Sequence, residues 1–199
     1  MGRNNEPMWA LVYADALEGA FMNPLQGKLV RLRAFEPEDD PIVFAWVNDP
    51  EVQEFHGTRY PRSRAQIRRS GEDASTTKYS SSTFAVDALD DGKLIGEVWI
   101  GAERPECRSG EVAITIGDKS RWDGGYGTDA MRTLCRFGFE MMNLHRIELH
   151  VFAENGRARR SYQKVGFQEE GLLRQCVFKY GRYMDDVVMG LLEGELVLE

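Results

Sequence analysis

Asp118-Lys-Ser-Arg-Trp-Asp-Gly-Gly-Tyr-Gly-Thr-Asp-Ala130 is the stretch of this 199-residue chain that decides how the rest is read. Before it, Ser109 to Ile116 alternates as a strand, with Val112, Ile114 and Ile116 on one face and Glu111, Ala113 and Thr115 on the other. After it, Ala130, Leu134, Phe137, Gly138, Met141 and Met142 recur at helical spacing. Strand, glycine loop, helix is an order suited to phosphate. Gly124, Gly125 and Gly127 let the backbone approach an anion closely, and the unpaired N–H groups of the helix start point toward it. No Lys lies within Gly124 to Thr128, so amides and helix dipole carry most of the contact, with Lys119 and Arg121 at the margin. Taken alone, such a loop is also compatible with a plain tight turn.

Rival phosphate motifs fit less well. Gly125 to Ala130 satisfies G-x-G-x-x-A, and Glu148 lies near the spacing of a dinucleotide fold's ribose acid. However, a dinucleotide-binding glycine follows its strand at once, whereas Gly117 to Asp123 intervene here and four strands precede the unit. The GxxxxGK[ST], HExxH and GxSxG patterns are absent.

Working outward, Leu29 to Phe35 alternates as a first strand, and Pro37 to Asp40 opens a helix carrying Val43, Trp46 and Val47 that stops at Asn48-Asp49-Pro50. Ser63 to Ala74 is a polar helix whose Arg62, Arg64, Arg68 and Arg69 read as a solvated basic face. Thr83 to Leu89 and Lys93 to Gly101 form a hairpin around Asp90-Asp91-Gly92. Downstream, Arg146 to Phe152 is a strand, Asn155 opens a helix with Ala158, Tyr162 and Val165 on its apolar stripe, and Gly166 ends it. Phe167 to Lys179 and Met184 to Leu192 complete a terminal hairpin. Met1 to Lys28 reads as an appended helix or arm, suiting neither a signal nor a transit peptide.

Composition narrows the function classes. A 42% hydrophobic content supports one packed domain and excludes a disordered or collagen-like chain. Cys107, Cys135 and Cys176 are odd in number and lack a CxxC pair, so neither a disulfide framework nor a metal site is expected, and reduced thiols fit the cytoplasm. Apolar runs are too short for a membrane span. The net charge of −7 argues against nucleic acid and for a cationic partner, although solubility alone accounts for such acidity in many proteins.

Three segments in order, Trp122-Asp-Gly-Gly-Tyr-Gly-Thr-Asp-Ala130, Val151-Phe-Ala-Glu-Asn155 and Ser161-Tyr-Gln-Lys-Val-Gly-Phe167, resemble the GNAT acetyltransferase superfamily, in the branch of ribosomal-protein alanine and spermidine N-acetyltransferases. The resemblance spans residues 29–192, between an N-terminal extension and a short tail, 193–199. It implies an α/β fold with a strongly twisted mixed sheet of about seven strands, splayed between Ser109–Ile116 and Arg146–Phe152 to admit acetyl-CoA. It places Gly124, Gly125, Tyr126, Gly127 and Thr128 around the pyrophosphate, with Ile114 and Ile116 along the pantetheine arm. Trp122 stands where the family has Gln or Arg, so only that side-chain contact departs from the pattern. A homodimer is also implied.

Acetyl transfer to an amine needs a proton acceptor, an N–H donor to the carbonyl oxygen and a proton donor for the departing thiolate. By family position Tyr162 is the donor, although it also fits the helix stripe as a plain core aromatic. Glu111, on the strand face at the sheet split, is the expected acceptor, with a surface carboxylate as the alternative reading. The N–H near Ile114 polarises the carbonyl. Asn155 contacts pantetheine or an ordered water, caps its helix, or both. His145 and His150 read as structural, and His56 as a minor substrate-facing candidate. Glu51 and Glu54 border the expected acceptor site. No cysteine is flanked by a base, which favours direct transfer. A larger acyl donor, a non-catalytic CoA-binding module and a nicotinamide enzyme are the competing classes.

Overall fold

A computed structural model describes residues 23–57, 60–74 and 80–198. The strands are β1 (Val30–Arg33), β2 (Ser81–Ala88), β3 (Leu94–Arg104), β4 (Ser109–Ile116), β5 (Arg146–Phe152), β6 (Gln168–Lys179) and β7 (Arg182–Leu192). The helices are α1 (Asp40–Val47), α2 (Arg64–Ala74), α3 (Tyr126–Glu140) and α4 (Gly156–Val165). The strands form one seven-stranded sheet in the order β1-β2-β3-β4-β5-β7-β6. Every pairing is antiparallel except β4 with β5.

Alternation explains which face each strand buries. Val86, Val98, Ile100, Val112, Ile147, Leu149 and Met189 turn to one side and close a core with Met131, Leu134 and Cys135 of α3. Thr83, Trp99, Ala113 and Thr115 turn to the other side, toward α1 and α2, with Ala113 left exposed. Trp46 of α1 packs so tightly on Gly117, just past β4, that any Cβ there would overlap its indole.

Three sequence expectations shift. The first strand is only Val30–Arg33, because the Leu29 N–H is spent on Asp129 and Arg33 turns the chain toward Asp39. Burial pushes the Asp39 carboxyl up, but the Arg33 guanidinium and the Glu36 N–H together outweigh it and hold it below the ordinary carboxylate range. The helix expected from Pro37 begins as a single 3-10 turn, Pro37–Asp39, before α1. Met141 leaves the apolar stripe: α3 ends at Glu140 and Met141 is 58% exposed, while Met131 and Cys135 take the core positions. The terminal hairpin turns where expected, with Tyr180 and Gly181 at positive φ, the geometry of a two-residue turn.

Of the N-terminal extension, residues 1–22 and any helix there lie outside the described residues. Leu25 packs against the core and its carbonyl accepts from Leu32 N–H at 2.7 Å. Asp129, in the first turn of α3 and 3% exposed, fastens this strand to the glycine loop. Its carboxylate accepts the N–H groups of Lys28, Leu29 and Val30 at 3.2, 2.7 and 3.1 Å. Asp129→Ala leaves those donors unsatisfied and is expected to cost about 3 kcal/mol, read as a lower urea midpoint with unchanged m value. An unchanged midpoint would show that water replaces the carboxylate at no cost.

Candidate active site

β4 and β5 pair only at Ser109 with Arg146, Gly110 with Ile147 and Glu111 with Glu148. Beyond that point each keeps its outer partner, β4 following β3 to Ile116 and β5 following β7 to Phe152. The sheet twist therefore separates them. A cleft of about 770 Å³ occupies the gap. Its walls include Gly127 and Ile116 from the α3 side and Glu111, His150 and Asp186 from the opposite side, so it passes through the sheet.

The α3 end is built for an anion. Gly125 adopts φ 87° as the N-cap, a left-handed conformation natural to glycine, and its carbonyl accepts the Asp129 N–H. The N–H groups of the first turn consequently have no partner within the helix. Gly127 and Thr128 line the cleft, and Thr128 Oγ1 meets Ser161 Oγ of α4 at 2.7 Å. Trp122 donates its indole N–H to the Ile116 carbonyl at 2.8 Å and stacks under the Arg157 guanidinium, 4.3 Å from the ring centre. Arg160 and Lys164 of α4 add further positive charge to this wall.

At the other end, Tyr162 lines the cleft with its ring edge-on to Phe167 at 6.0 Å, and burial pushes its phenol up to about 12. Asn155 caps α4, accepting the Ala158 N–H at 3.1 Å, and also lines the cleft, so both of its expected positions are compatible. Glu111 is half-buried beside the point where the strands part. His150 Nδ1 lies 2.9 Å from the mostly buried Asp186 carboxylate, and both face the cleft. His56 Nε2 lies 3.0 Å from Thr115 Oγ1. Lys179 of β6 donates to the carbonyls of Gln53, Glu54 and His56 at 2.5, 2.8 and 2.6 Å, clamping that loop over the site.

A second cavity of about 370 Å³ lies between α1, α2 and the sheet. It shares Ala113, Ile114, Thr115 and His56 with the cleft, so the two meet at β4.

A cleft between parted strands, a glycine loop opening α3 and a partly buried tyrosine on α4 are matched by sequence as well as by shape. The Acetyltransferase (GNAT) domain pattern covers residues 30–168. The chain belongs to the GNAT acetyltransferase family. It is 26% identical to the N-acetyltransferase p20 of Bacillus licheniformis over 87% of this chain and 98% of that protein. It is 31% identical to the L-amino acid N-acetyltransferase AaaT of Escherichia coli over 50% of this chain and 62% of that one. The crystal structure of spermidine N-acetyltransferase from Vibrio cholerae in complex with CoA and spermine superposes with a TM-score of 0.76 at 26% identity, covering 84% of this chain and 97% of that one.

Within this acetyltransferase, several expected residues stand elsewhere. Gly124 and Tyr126 do not line the cleft; the Tyr126 hydroxyl is taken by Arg121 and Asp90. Lys119 is spent on Asp49 and Glu51, and Arg121 on Asp90 and Asp91, so neither is a spare cation for phosphate. The same pairing removes Glu51 as a ready carboxylate for an amine, while Glu54 is exposed on the cleft rim. His145 lies outside the cleft, 3.9 Å from Glu193. Cys135 is buried, which pushes its thiol up, and Cys107 and Cys176 are exposed away from the cleft. Among the described residues no group of His, Cys, Asp and Glu is arranged to hold a metal, and no helix is long and apolar enough to cross a membrane.

Sequence reasoning missed Arg157, Arg160, Lys179 and the His150–Asp186 pair. Arg157 and Arg160 had a local signal, a basic run within the five residues after the Asn155 cap. The other contacts join residues 36 to 126 positions apart and leave no local signal.

Proposed function

We propose that this protein transfers the acetyl group of acetyl-CoA directly to a primary amine, within a catalytic domain spanning residues 29–192. The observation that carries this reading is the cleft between β4 and β5, which joins a helix start suited to an anion to the partly buried Tyr162 and opens onto a second cavity. Acetyl-CoA fits it on three grounds: free helix-start amides, three cations on α4, and strand edges able to pair with amide groups. When bound, it supplies an activated acyl carbon and a thiolate leaving group.

The chain's own groups then have defined tasks. Gly127 and Thr128 amides, with Arg157 and Arg160, hold the diphosphate. The β4 N–H near Ile114 orients the carbonyl, Tyr162 Oη donates toward the sulfur, and Glu111 takes the proton of the amine directly or through a water. A second reading, favoured by the 2.9 Å bond to Asp186, gives that proton to His150 Nε2. The arrangement resembles a carboxylate-held imidazole base, in which the acid fixes ring orientation and tautomer.

Glu111→Gln and His150→Gln separate the two. The variant lacking the true base is expected to lose roughly 10² in turnover and the rise of rate with pH, with KM little changed. If both variants keep wild-type pH profiles, neither group is the base. The reading as a whole is tested by thiol release from acetyl-CoA with a panel of amines, set against longer acyl-CoAs; release only with the latter overturns the acetyl assignment.

Reduced thiols and the absence of a membrane-length helix among the described residues support a cytoplasmic setting. A homodimer is supported by β6, an edge strand bearing exposed Leu172, Leu173 and Phe178.

A further inference from the structure

Trp122 and Arg157 meet at the glycine-loop end of the cleft, and both line it. Trp122 follows the single 3-10 turn Lys119–Arg121 in extended backbone, and its indole N–H is taken by the carbonyl of Ile116, the last residue of β4. An indole has no second donor. Trp122 therefore has no polar group left with which to hold an anion itself. What it offers is a ring face, fixed in direction by the Ile116 bond, and the Arg157 guanidinium lies over that face, 4.3 Å from the ring centre.

Arg157 stands in the first turn of α4, a turn without an acidic residue, where a cation opposes the helix dipole. The helix gains nothing from its charge. Its ion pair with Asp123 is 3.9 Å long, beyond hydrogen-bond reach, and the Asp123 side chain is 75% exposed, so water screens the pair. The indole is the closer hold. Attraction between a cation and a ring quadrupole needs no oxygen partner, so the forked N–H donors remain available for two phosphate oxygens at once. A carboxylate in place of the ring would neutralise the guanidinium and repel the phosphate. The next arginine shows the contrast: Arg159 is taken by Glu169 at 2.6 Å and the Ala153 carbonyl at 3.1 Å. Thr128 Oγ1 and Ser161 Oγ, 2.7 Å apart, form a second bridge from the start of α3 to α4, so the wall carrying Arg157 is tied to the glycine loop at two points.

We infer that Trp122 is a positioning residue for the cofactor: its ring presets the Arg157 guanidinium so that the fork meets the diphosphate of CoA. This rests on the acetyl-CoA reading above. An arginine side chain ordered before the ligand arrives loses less rotamer freedom on binding, and that saving appears as affinity.

The experiment measures CoA and dephospho-CoA binding by calorimetry, at low and high salt, with thermal unfolding alongside. Trp122→Ala and Arg157→Gln are each expected to weaken CoA binding roughly three- to tenfold and to flatten its salt dependence, because salt screens the contact that both remove. In the Arg157→Gln background, Trp122→Ala is expected to weaken binding by less than about twofold more, as two residues acting through one contact do. Arg157→Lys keeps the charge but not the planar fork, and is expected to bind closer to Arg157→Gln than to wild type. Dephospho-CoA, which keeps the diphosphate and lacks the 3′-phosphate, is expected to show the same losses. Unchanged affinity in folded Trp122→Ala, additive losses in the double variant, or wild-type binding by Arg157→Lys overturns the inference and leaves CoA binding intact. Losses confined to CoA overturn it too, because they move Arg157 to the 3′-phosphate. No CoA binding by the wild-type protein overturns the acetyl-CoA reading, and the inference with it. If Trp122→Ala fails to fold, Arg157→Lys, a change on an exposed helix turn, decides the matter.

Discussion

Tyr162→Phe is expected to lower turnover by roughly 10² or more and to leave acetyl-CoA affinity close to wild type. The ring is fixed by its edge contact with Phe167 and by packing against the core, so phenylalanine keeps every contact but the hydroxyl. Burial pushes the phenol up to about 12. The group therefore stays protonated at any ordinary assay pH and always has a proton to offer. A thiol titrates near 8.5, so complete transfer to a free thiolate runs uphill by roughly three to four pK units. The phenol consequently acts while the carbon–sulfur bond is breaking, as a hydrogen-bond donor to charge gathering on sulfur, and that charge exists only in the transition state. Losing the donor thus affects kcat far more than KM. The raised value also fixes the pH profile: between pH 7 and 10 Tyr162 contributes no falling limb. A wild-type rate in Tyr162→Phe, or a falling limb near pH 9 that this variant abolishes, would remove Tyr162 from the assigned role.

How much of this was legible in the chain depends on the range of the forces involved. β4 and β5 run over the residues that alternation indicates, because Val112 and Ile114 of β4 and Ile147, Leu149 and Val151 of β5 turn to the core at every second position, which leaves the period of two undisturbed. β1 was misjudged at both ends because its limits are set by Asp129, a hundred residues away, and by Arg33 turning toward Asp39. The geometry of the glycine loop was readable, since positive φ at Gly125 and the opening of α3 are local facts written in neighbouring residues. The engagement of Lys119 and Arg121, the cations nearest in sequence, was not, because acids from other loops pair with both. His150 was discounted for lack of a partner at a recognisable spacing. Its partner, Asp186, is brought alongside by the pairing of β5 with β7, which places it next to Phe152 on the same face. Lys179 likewise gains meaning only when the terminal hairpin folds back on the loop between α1 and α2.

Gly127→Val is expected to weaken acetyl-CoA binding by well over tenfold, more than about 1.4 kcal/mol, while the protein unfolds at nearly the wild-type temperature. The two cleft glycines of the loop differ in what a side chain would meet, and that difference makes Gly127 the cleaner test. Gly125 sits at φ 87°, so any L side chain there carries about 1–2 kcal/mol of backbone strain whether or not a ligand is present. A binding defect in Gly125→Val would mix that strain with ligand exclusion. Gly127 lies inside the first turn of α3 at ordinary helical geometry, and a Cβ there would meet Ile116 at 3.5 Å and Ile114 at 4.0 Å, normal packing distances. Replacing a helical glycine also recovers a few tenths to about 1 kcal/mol of helix propensity, which offsets small packing losses. The fold thus accepts the change. What it fills is the space over the helix-start amides, where a diphosphate must come within hydrogen-bond distance of the backbone. Gly127→Ala is expected to fall between wild type and Gly127→Val, because one methyl obstructs less than three carbons. Equilibrium titration of CoA into each folded variant, with thermal unfolding measured alongside, checks the series. Undiminished affinity in a folded Gly127→Val protein would place the diphosphate elsewhere than at the start of α3, whereas loss of affinity with intact stability ties the cofactor to the loop from which the fold was first read.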